Sequence, residues 1–194
     1  AMTREDLMAY YNTFSCSVSV DDGEALSGCG TYNIPVISSD GKKVKFNLWI
    51  FDSGDYDEEG RYSCVKPDQI EWYKQTSAKL KEENGGETVP SLMFAHIPLP
   101  EITNLVEQCG PNDAGAVLTH AKGWCRLKPD MERGVMLEYP CILEESSGLF
   151  DAALECGDVK GIVSGHDHVN CFEGNYKGID FIQTSCASFR CYGG

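Results

Sequence analysis

Apolar positions change their period several times along this chain, and each change marks an element. Leu7, Met8, Tyr10 and Tyr11 follow Thr3-x-x-Asp6, a capping box with aspartate in place of glutamate, and predict a helix to about Phe14. Residues 15–30 are rich in serine, glycine and cysteine and read as loop, with a short strand expected at 16–20. Tyr32–Ile37 and Val44–Phe51 read as strands, and Ser38-Ser39-Asp40-Gly41 between them supplies a hairpin turn. Pro67 opens a helix over 67–84, with Ile70, Tyr73, Ser77 and Leu80 as its buried stripe and Gly85-Gly86 as its stop. A short buried strand is expected over 89–96, halted by Pro98 and Pro100, and then a helix over 101–109. Residues 110–145 show no clear periodicity and read as a long loop or insertion able to cover a site. A helix over 147–156 turns Leu149, Phe150, Ala153 and Leu154 inward and stops at Gly157. The pattern ends with a buried strand at 160–164 and a hairpin from 171–176 and 178–184.

Helices alternating with buried strands define an α/β layering. No repeat or linker interrupts residues 1–194, so a single domain is expected. Apolar content of 42 % and charged content of 24 % are those of a globular protein, and no apolar run reaches membrane-spanning length. The start of the chain is not a signal peptide. The net charge of −14 argues against nucleic acid and against anionic membranes as partners. A phosphate-ester substrate would be repelled overall and held only by local cations such as bound metal. Ten cysteines permit disulfides, but there is no Cys-x-x-Cys and several lie in apolar segments (Cys141, Cys156, Cys186). Free thiols and a cytoplasmic setting are therefore expected over a secreted, disulfide-stapled module.

The chemistry concentrates in Ile162-Val-Ser-Gly165-His166-Asp167-His168-Val-Asn170. An apolar strand ending in Gly-His-x-His places two imidazoles at i and i+2, on one face if the backbone stays extended. His96 ends the earlier strand, in Met93-Phe94-Ala95-His96-Ile97-Pro98. His96, His166 and His168 are the candidate metal ligands. Asp167 is either an acceptor that orients an imidazole or a solvated turn residue, and Asn170 and Asp52 are further candidates for a supporting role. His120 has no ligand-like neighbour in sequence, and the acidic run at 52–59 reads as a solvated loop. No Gly-x-Ser-x-Gly elbow and no phosphate-binding P-loop is present.

Five collinear segments resemble the calcineurin-like metallophosphoesterase superfamily, in its purple-acid-phosphatase-like branch. They are Leu48-Trp-Ile-Phe-Asp-Ser-Gly-Asp-Tyr56, Lys66-Pro-Asp-Gln-Ile-Glu-Trp-Tyr73, Phe94-Ala-His-Ile-Pro-Leu99, Gly157-Asp-Val-Lys160 and Gly165-His-Asp-His-Val-Asn170. The resemblance implies the C-terminal part of an α-β-β-α sandwich, a mixed sheet with flanking helices. It further implies a metal-dependent phosphoester hydrolase, a phosphomonoesterase or protein phosphatase, with two metal ions (manganese, iron or zinc) and a bridging hydroxide. His96 and His166 would bind one ion and His168 the other.

The first three blocks of the family, Asp-x-His, Gly-Asp-x-x-Asp and Gly-Asn-His-Asp/Glu, are absent. They supply the bridging carboxylate, the asparagine ligand and a histidine that assists the leaving group. The parent protein is therefore expected to be an enzyme, and this chain to be a C-terminal portion carrying the last two blocks, inactive alone. It is expected to bind at most one ion weakly and to self-associate through an exposed sheet face. The alternative is a non-catalytic, phosphatase-like binding or scaffold protein.

Overall fold

Alternation in residues 44–51 turns Asn47, Trp49 and Phe51 inward, and a core is built on that face. The computed structural model describes residues 2–21, 26–56, 60–120, 122–130, 133–143, 145–188 and 190–192. Its backbone divides into two compact units, Ala1–Phe94 with Ser147–Val159, and Ala95–Ser146 with Lys160–Gly194.

In the first unit, α1 (Arg4–Tyr11) starts on the expected capping box: Asp6 N–H donates to Thr3 Oγ1 at 3.1 Å, and Thr3 N–H to Asp6 Oδ2 at 3.0 Å. The helix ends at Tyr11, not Phe14, and no strand forms at 16–20. β1 (Tyr32–Ile37) and β2 (Val44–Phe51) pair antiparallel, and β3 (Ser91–Ala95) lies on the other side of β2. α2 (Pro67–Glu83) has proline at its first turn, where no intrahelical N–H partner is lost. The Lys66 N–H donates back to Gln69 Oε1 at 2.6 Å. Gly85 and Gly86, both at positive φ, end the helix, and the Gly86 N–H returns to the Lys81 carbonyl at 2.8 Å. Its buried side chains are Gln69, Tyr73, Ser77 and Leu80; Ile70 is half-buried, displaced from the stripe by Gln69. α3 (Leu149–Cys156) buries Leu149, Phe150, Ala152 and Ala153, leaves Leu154 half-buried, and ends on Gly157 at φ 70°.

Asp158 ties this unit together. It is 2 % exposed. Its Oδ2 accepts from Trp49 Nε1 at 2.9 Å and Ser91 Oγ at 3.0 Å, and its Oδ1 from the Tyr73 hydroxyl at 2.5 Å. Three donors on β2, α2 and β3 thus meet one side chain. Burial, and then the neighbouring Asp158, hold the Tyr73 phenol above its ordinary pKa, so it stays a donor. The Trp49 and Tyr73 rings pack edge-on, 4.9 Å between centroids.

The second unit carries a mixed sheet in the order β8-β10-β9-β7 and a three-stranded antiparallel sheet in the order β4-β6-β5. β8 (Val159–Ser164, entered at Lys160) runs parallel to β10 (Ile179–Gln183). β9 (Cys171–Tyr176) pairs antiparallel with β10 and with β7 (Arg133–Val135). The β9–β10 hairpin turns through Lys177 and Gly178, both at positive φ, the arrangement that matches strand twist. The α/β class, mixed pairing with helices beside the strands, is as expected.

Two expectations fail here. Instead of a helix over 101–109, Pro100–Leu105 forms a 3-10 turn and Val106–Gln108 forms β4. Thr103 Oγ1 donates to the Pro100 carbonyl at 2.7 Å and Asn104 Nδ2 to the Glu101 carbonyl at 2.9 Å, side-chain competition that favours a turn over a helix. Nor is 110–145 a loop throughout: β5 (Val117–Thr119), β6 (Gly123–Leu127) and β7 arise within it. These strands have three to five residues, too short to show a period; β5 and β6 form a local hairpin, while β6 also pairs with β4 and β7 with β9 across longer separations. One such register, Glu107 opposite Arg126, carries a 2.8 Å ion pair.

Asp158→Ala leaves the Trp49, Tyr73 and Ser91 donors buried and unpaired, and is expected to cost the first unit about 3 kcal/mol or more. Asp158→Asn keeps one oxygen acceptor and is expected to cost less. Urea unfolding followed by tryptophan fluorescence measures both; equal midpoints for Ala and the natural chain would remove Asp158 from this role.

Candidate metal centre

The histidine block begins where β8 ends, at Ser164. The Asp167 N–H donates to the Gly165 carbonyl at 2.9 Å, and His166 between them has φ 76°. That is a γ-turn of the rarer, strained hand. The extended run expected through His166 and His168 is therefore broken, and with it the simple i, i+2 alignment. The strain falls on His166, not on Gly165, whose φ is ordinary.

The turn brings His166 to His96. The Gly165 N–H donates to the His96 carbonyl at 3.1 Å. His166 Nδ1 and His96 Nε2 then stand 3.3 Å apart, with ring centroids at 5.2 Å and planes crossing at 83°. One nitrogen donates to the other, according to tautomer. Burial lowers the His166 pKa, and the neighbouring His96 and His168 lower it further, so the imidazole is biased toward its neutral, ligating form.

The structure engages the other candidates separately. The His168 ring is stacked on Tyr192, 4.4 Å between centroids. Asp167 is 3 % exposed, so it is no solvated turn residue. Its Oδ1 accepts from the Cys141 N–H at 3.0 Å and its Oδ2 from Gln183 Nε2 at 3.2 Å. Burial raises its carboxyl to about 6. Asn170, fully buried, accepts from the Leu137 and Glu138 N–H groups at 2.9 and 3.2 Å and donates to the Glu138 carbonyl at 3.0 Å. Asp167 and Asn170 therefore fasten the 137–141 segment to the motif. His120 sits in an exposed turn after β5.

Asp52 lies in the first unit, where its carboxylate accepts from Arg4 Nη1 at 2.7 Å, the Cys29 N–H at 2.7 Å and the Gly54 N–H at 2.8 Å. Of the acidic run at 52–59, residues 57–59 lie outside the described residues. Close by, Cys29 Sγ contacts Asp21 Oδ2 at 3.5 Å, and burial followed by Asp21 raises this thiol to about 11. All ten cysteines are free thiols.

Sequence reasoning missed Gln183, Glu138 and Tyr192. Gln183 was discoverable, because it continues the buried phase of Ile179 and Phe181 on β10. Besides Asp167, it donates to the Gly165 carbonyl, and it accepts from Ser164 Oγ at 2.8 Å. Glu138 and Tyr192 lie in aperiodic segments and left no signal.

A pair of ligand nitrogens on a tetrahedral ion with bonds of about 2.0–2.1 Å would stand about 3.3–3.4 Å apart. The 3.3 Å separation of the His96–His166 nitrogens matches one edge of such a site. A two-metal centre does not fit. Among the described residues no group of three or more His, Cys, Asp or Glu side chains is arranged to hold a metal, and Asp167 is committed to Cys141 and Gln183.

Comparison with known proteins gives the class. The chain is homologous to calcineurin-like phosphoesterases. Within that superfamily its relatives are purple-acid-phosphatase-like proteins, and it corresponds to roughly their C-terminal half. It is 32 % identical over 211 residues to probable inactive purple acid phosphatase 14 of Arabidopsis thaliana, covering 99 % of this chain and 47 % of that protein. It is 29 % identical to probable inactive purple acid phosphatase 29 of the same plant (98 % and 48 % covered) and 27 % to number 28 (99 % and 47 %). The chain thus spans about half the length of the curated relatives it matches. No protein-family model matches it. A dimetal phosphatase from Danio rerio overlaps it with a TM-score of 0.44 at 11 % identity, over 80 % of this chain and 49 % of that one, too loosely to bear on chemistry. Among the described residues no helix is long and apolar enough to cross a membrane.

These relatives correct one expectation. An active parent enzyme was expected from the resemblance; all three relatives are named probable inactive phosphatases, which overturns it.

Two measurements follow from the geometry. At φ 76°, His166→Gly releases strain while a β-branched His166→Val adds it, so the two variants should differ in stability by about 1–2 kcal/mol, glycine the higher, in chemical unfolding. For Cys29 the folded pKa is the higher, so its contribution to stability is complete below about pH 9 and is lost as pH rises through about 11. At pH 8.5, iodoacetamide should alkylate Cys29 roughly ten- to hundredfold more slowly than exposed Cys16, read by peptide mass mapping.

Proposed function

We propose that this chain is a non-catalytic, phosphatase-like binding module, in which His96 and His166 hold at most one divalent transition-metal ion. The observation that carries the reading is the 3.3 Å approach of His166 Nδ1 to His96 Nε2, with no carboxylate among the described residues positioned to bridge a second ion. A bound ion would supply local positive charge to a phosphate-bearing ligand that the chain's net charge of −14 otherwise repels. The chain's own residues do the rest. The γ-turn sets the direction of His166, the Gly165–His96 backbone bond fixes the spacing of the two rings, and burial biases His166 toward its neutral form. Asp167, the nearest carboxylate in sequence, has its two oxygens held by the Cys141 N–H and Gln183 Nε2.

Calorimetric titration of the purified chain with zinc chloride tests this reading. One site is expected, abolished by His96→Ala and by His166→Gly, with p-nitrophenyl phosphate turned over no faster than by zinc or manganese in buffer. Two ions per chain, or turnover above that blank, would overturn it.

A further inference from the structure

The segment after β10 returns to the histidine motif. Thr184 donates to the Ser164 carbonyl through its N–H at 2.8 Å and its hydroxyl at 2.9 Å. The Cys186 N–H donates to the His168 carbonyl at 3.0 Å. Farther along, the Tyr192 ring lies on the His168 imidazole, 4.4 Å between centroids with planes 23° apart. Its hydroxyl donates to Glu138 Oε1 at 2.9 Å. Glu138 is itself fixed, since its backbone N–H and carbonyl are both bonded by Asn170. The His168 Nδ1 is buried and has no hydrogen-bond partner among the described residues.

A ligand to histidine must approach in the ring plane, along a nitrogen lone pair. For His168 one such approach, at Nδ1, is closed. The stack fixes the ring plane, so the imidazole cannot turn to meet a ligand without leaving Tyr192. Yet the cover is held by few contacts, and Tyr192 is 59 % exposed, so it can lift without unfolding a core.

We propose that residues 184–188 and 190–192 form a strap that withholds His168 Nδ1 from ligands, closed by the Tyr192 stack and its hydrogen bond to Glu138, and that opening it frees His168 to join His96 and His166. The second half of this statement rests on the one-ion reading above; the first does not.

Diethyl pyrocarbonate acylates accessible imidazole nitrogens, and peptide mass mapping of the full chain reports each histidine separately. In the natural chain His168 should react at least several-fold more slowly than exposed His96. Tyr192→Ala should raise the His168 rate about tenfold and leave His96 unchanged, the scale set by losing one ring stack and one hydrogen bond. Tyr192→Phe, which keeps the ring and loses the hydroxyl, should fall between. Equal His168 rates in the natural chain and Tyr192→Ala overturn the strap, and so does a parallel rise at His96, the mark of general loosening. Zinc titration of the same proteins separates the two halves. Tighter binding by Tyr192→Ala supports recruitment of His168; unchanged binding overturns recruitment alone; no binding by any variant overturns the one-ion reading and recruitment together, and leaves the acylation result to judge the cover.

Discussion

The first unit depends on a buried carboxylate whose hydrogen-bond partners among the described residues are all neutral side chains. Asp158 has left water and is compensated by an indole N–H, a phenol and a serine hydroxyl, each from a different element. A buried acceptor of this kind is stabilising only when every donor arrives with correct geometry, because removing one leaves its partners desolvated and unpaired. That requirement constrains several elements together. β2 must present Trp49 inward, α2 must be in phase to bring Tyr73 over it, and β3 must begin at Ser91. Apolar packing alone would tolerate a small slip of α2; the Tyr73–Asp158 bond does not. The position of Asp158 one residue past the Gly157 helix stop has the same cause, since the left-handed glycine turns the chain directly into the acceptor.

Elements with a long period were legible in the sequence. α2 carries its proline start, its glycine stop and the Tyr73, Ser77, Leu80 stripe, and β2 carries its alternation. Each encodes local and tertiary preference in the same residues. What was illegible is what forms through distant partners. β4 and β7 have three residues each, and their existence depends on β6 and β9 arriving alongside from about 20 to 40 residues away. Gly134 shows the difference. Nothing near it in sequence calls for glycine, but at φ 107° it lies so close to the Cys171 carbonyl that a Cβ would collide with it.

The candidate site divides in the same way. His96 and His166 were legible as strand-end histidines, and the structure brings their rings together. Their relation to His168 was not legible, because it turns on the single φ value of His166. An extended backbone sends i and i+2 to one side, whereas a γ-turn at the first histidine changes the direction of everything after it. Burial of Asp167 was likewise hidden, since a carboxylate between two histidines has the sequence character of a solvated turn. Only the arrival of the Cys141 N–H and Gln183, from separate segments, gives it a reason to be buried.

Within each unit the enclosed carboxylates are put to the same use. A two-metal centre needs carboxylates whose oxygens are free to bridge, and metal ions repel one another unless such charge lies between them. Among the described residues the two buried acidic side chains are Asp158 and Asp167, and both are occupied with hydrogen-bond donors from the protein itself. Asp52, nearly as enclosed, is occupied by Arg4 and two backbone N–H groups. Releasing any of them to a metal would leave buried donors unpaired, a cost of about 1–3 kcal/mol for each donor and so larger than one weak coordination bond to an imidazole-poor site would return. Imidazoles differ in this respect. The His96 and His166 rings meet through one ring-nitrogen contact at 3.3 Å, which an ion could replace with two coordinate bonds. The enclosed carboxylates Asp52, Asp158 and Asp167 therefore serve the fold, and under the proposed reading the metal falls to His96 and His166.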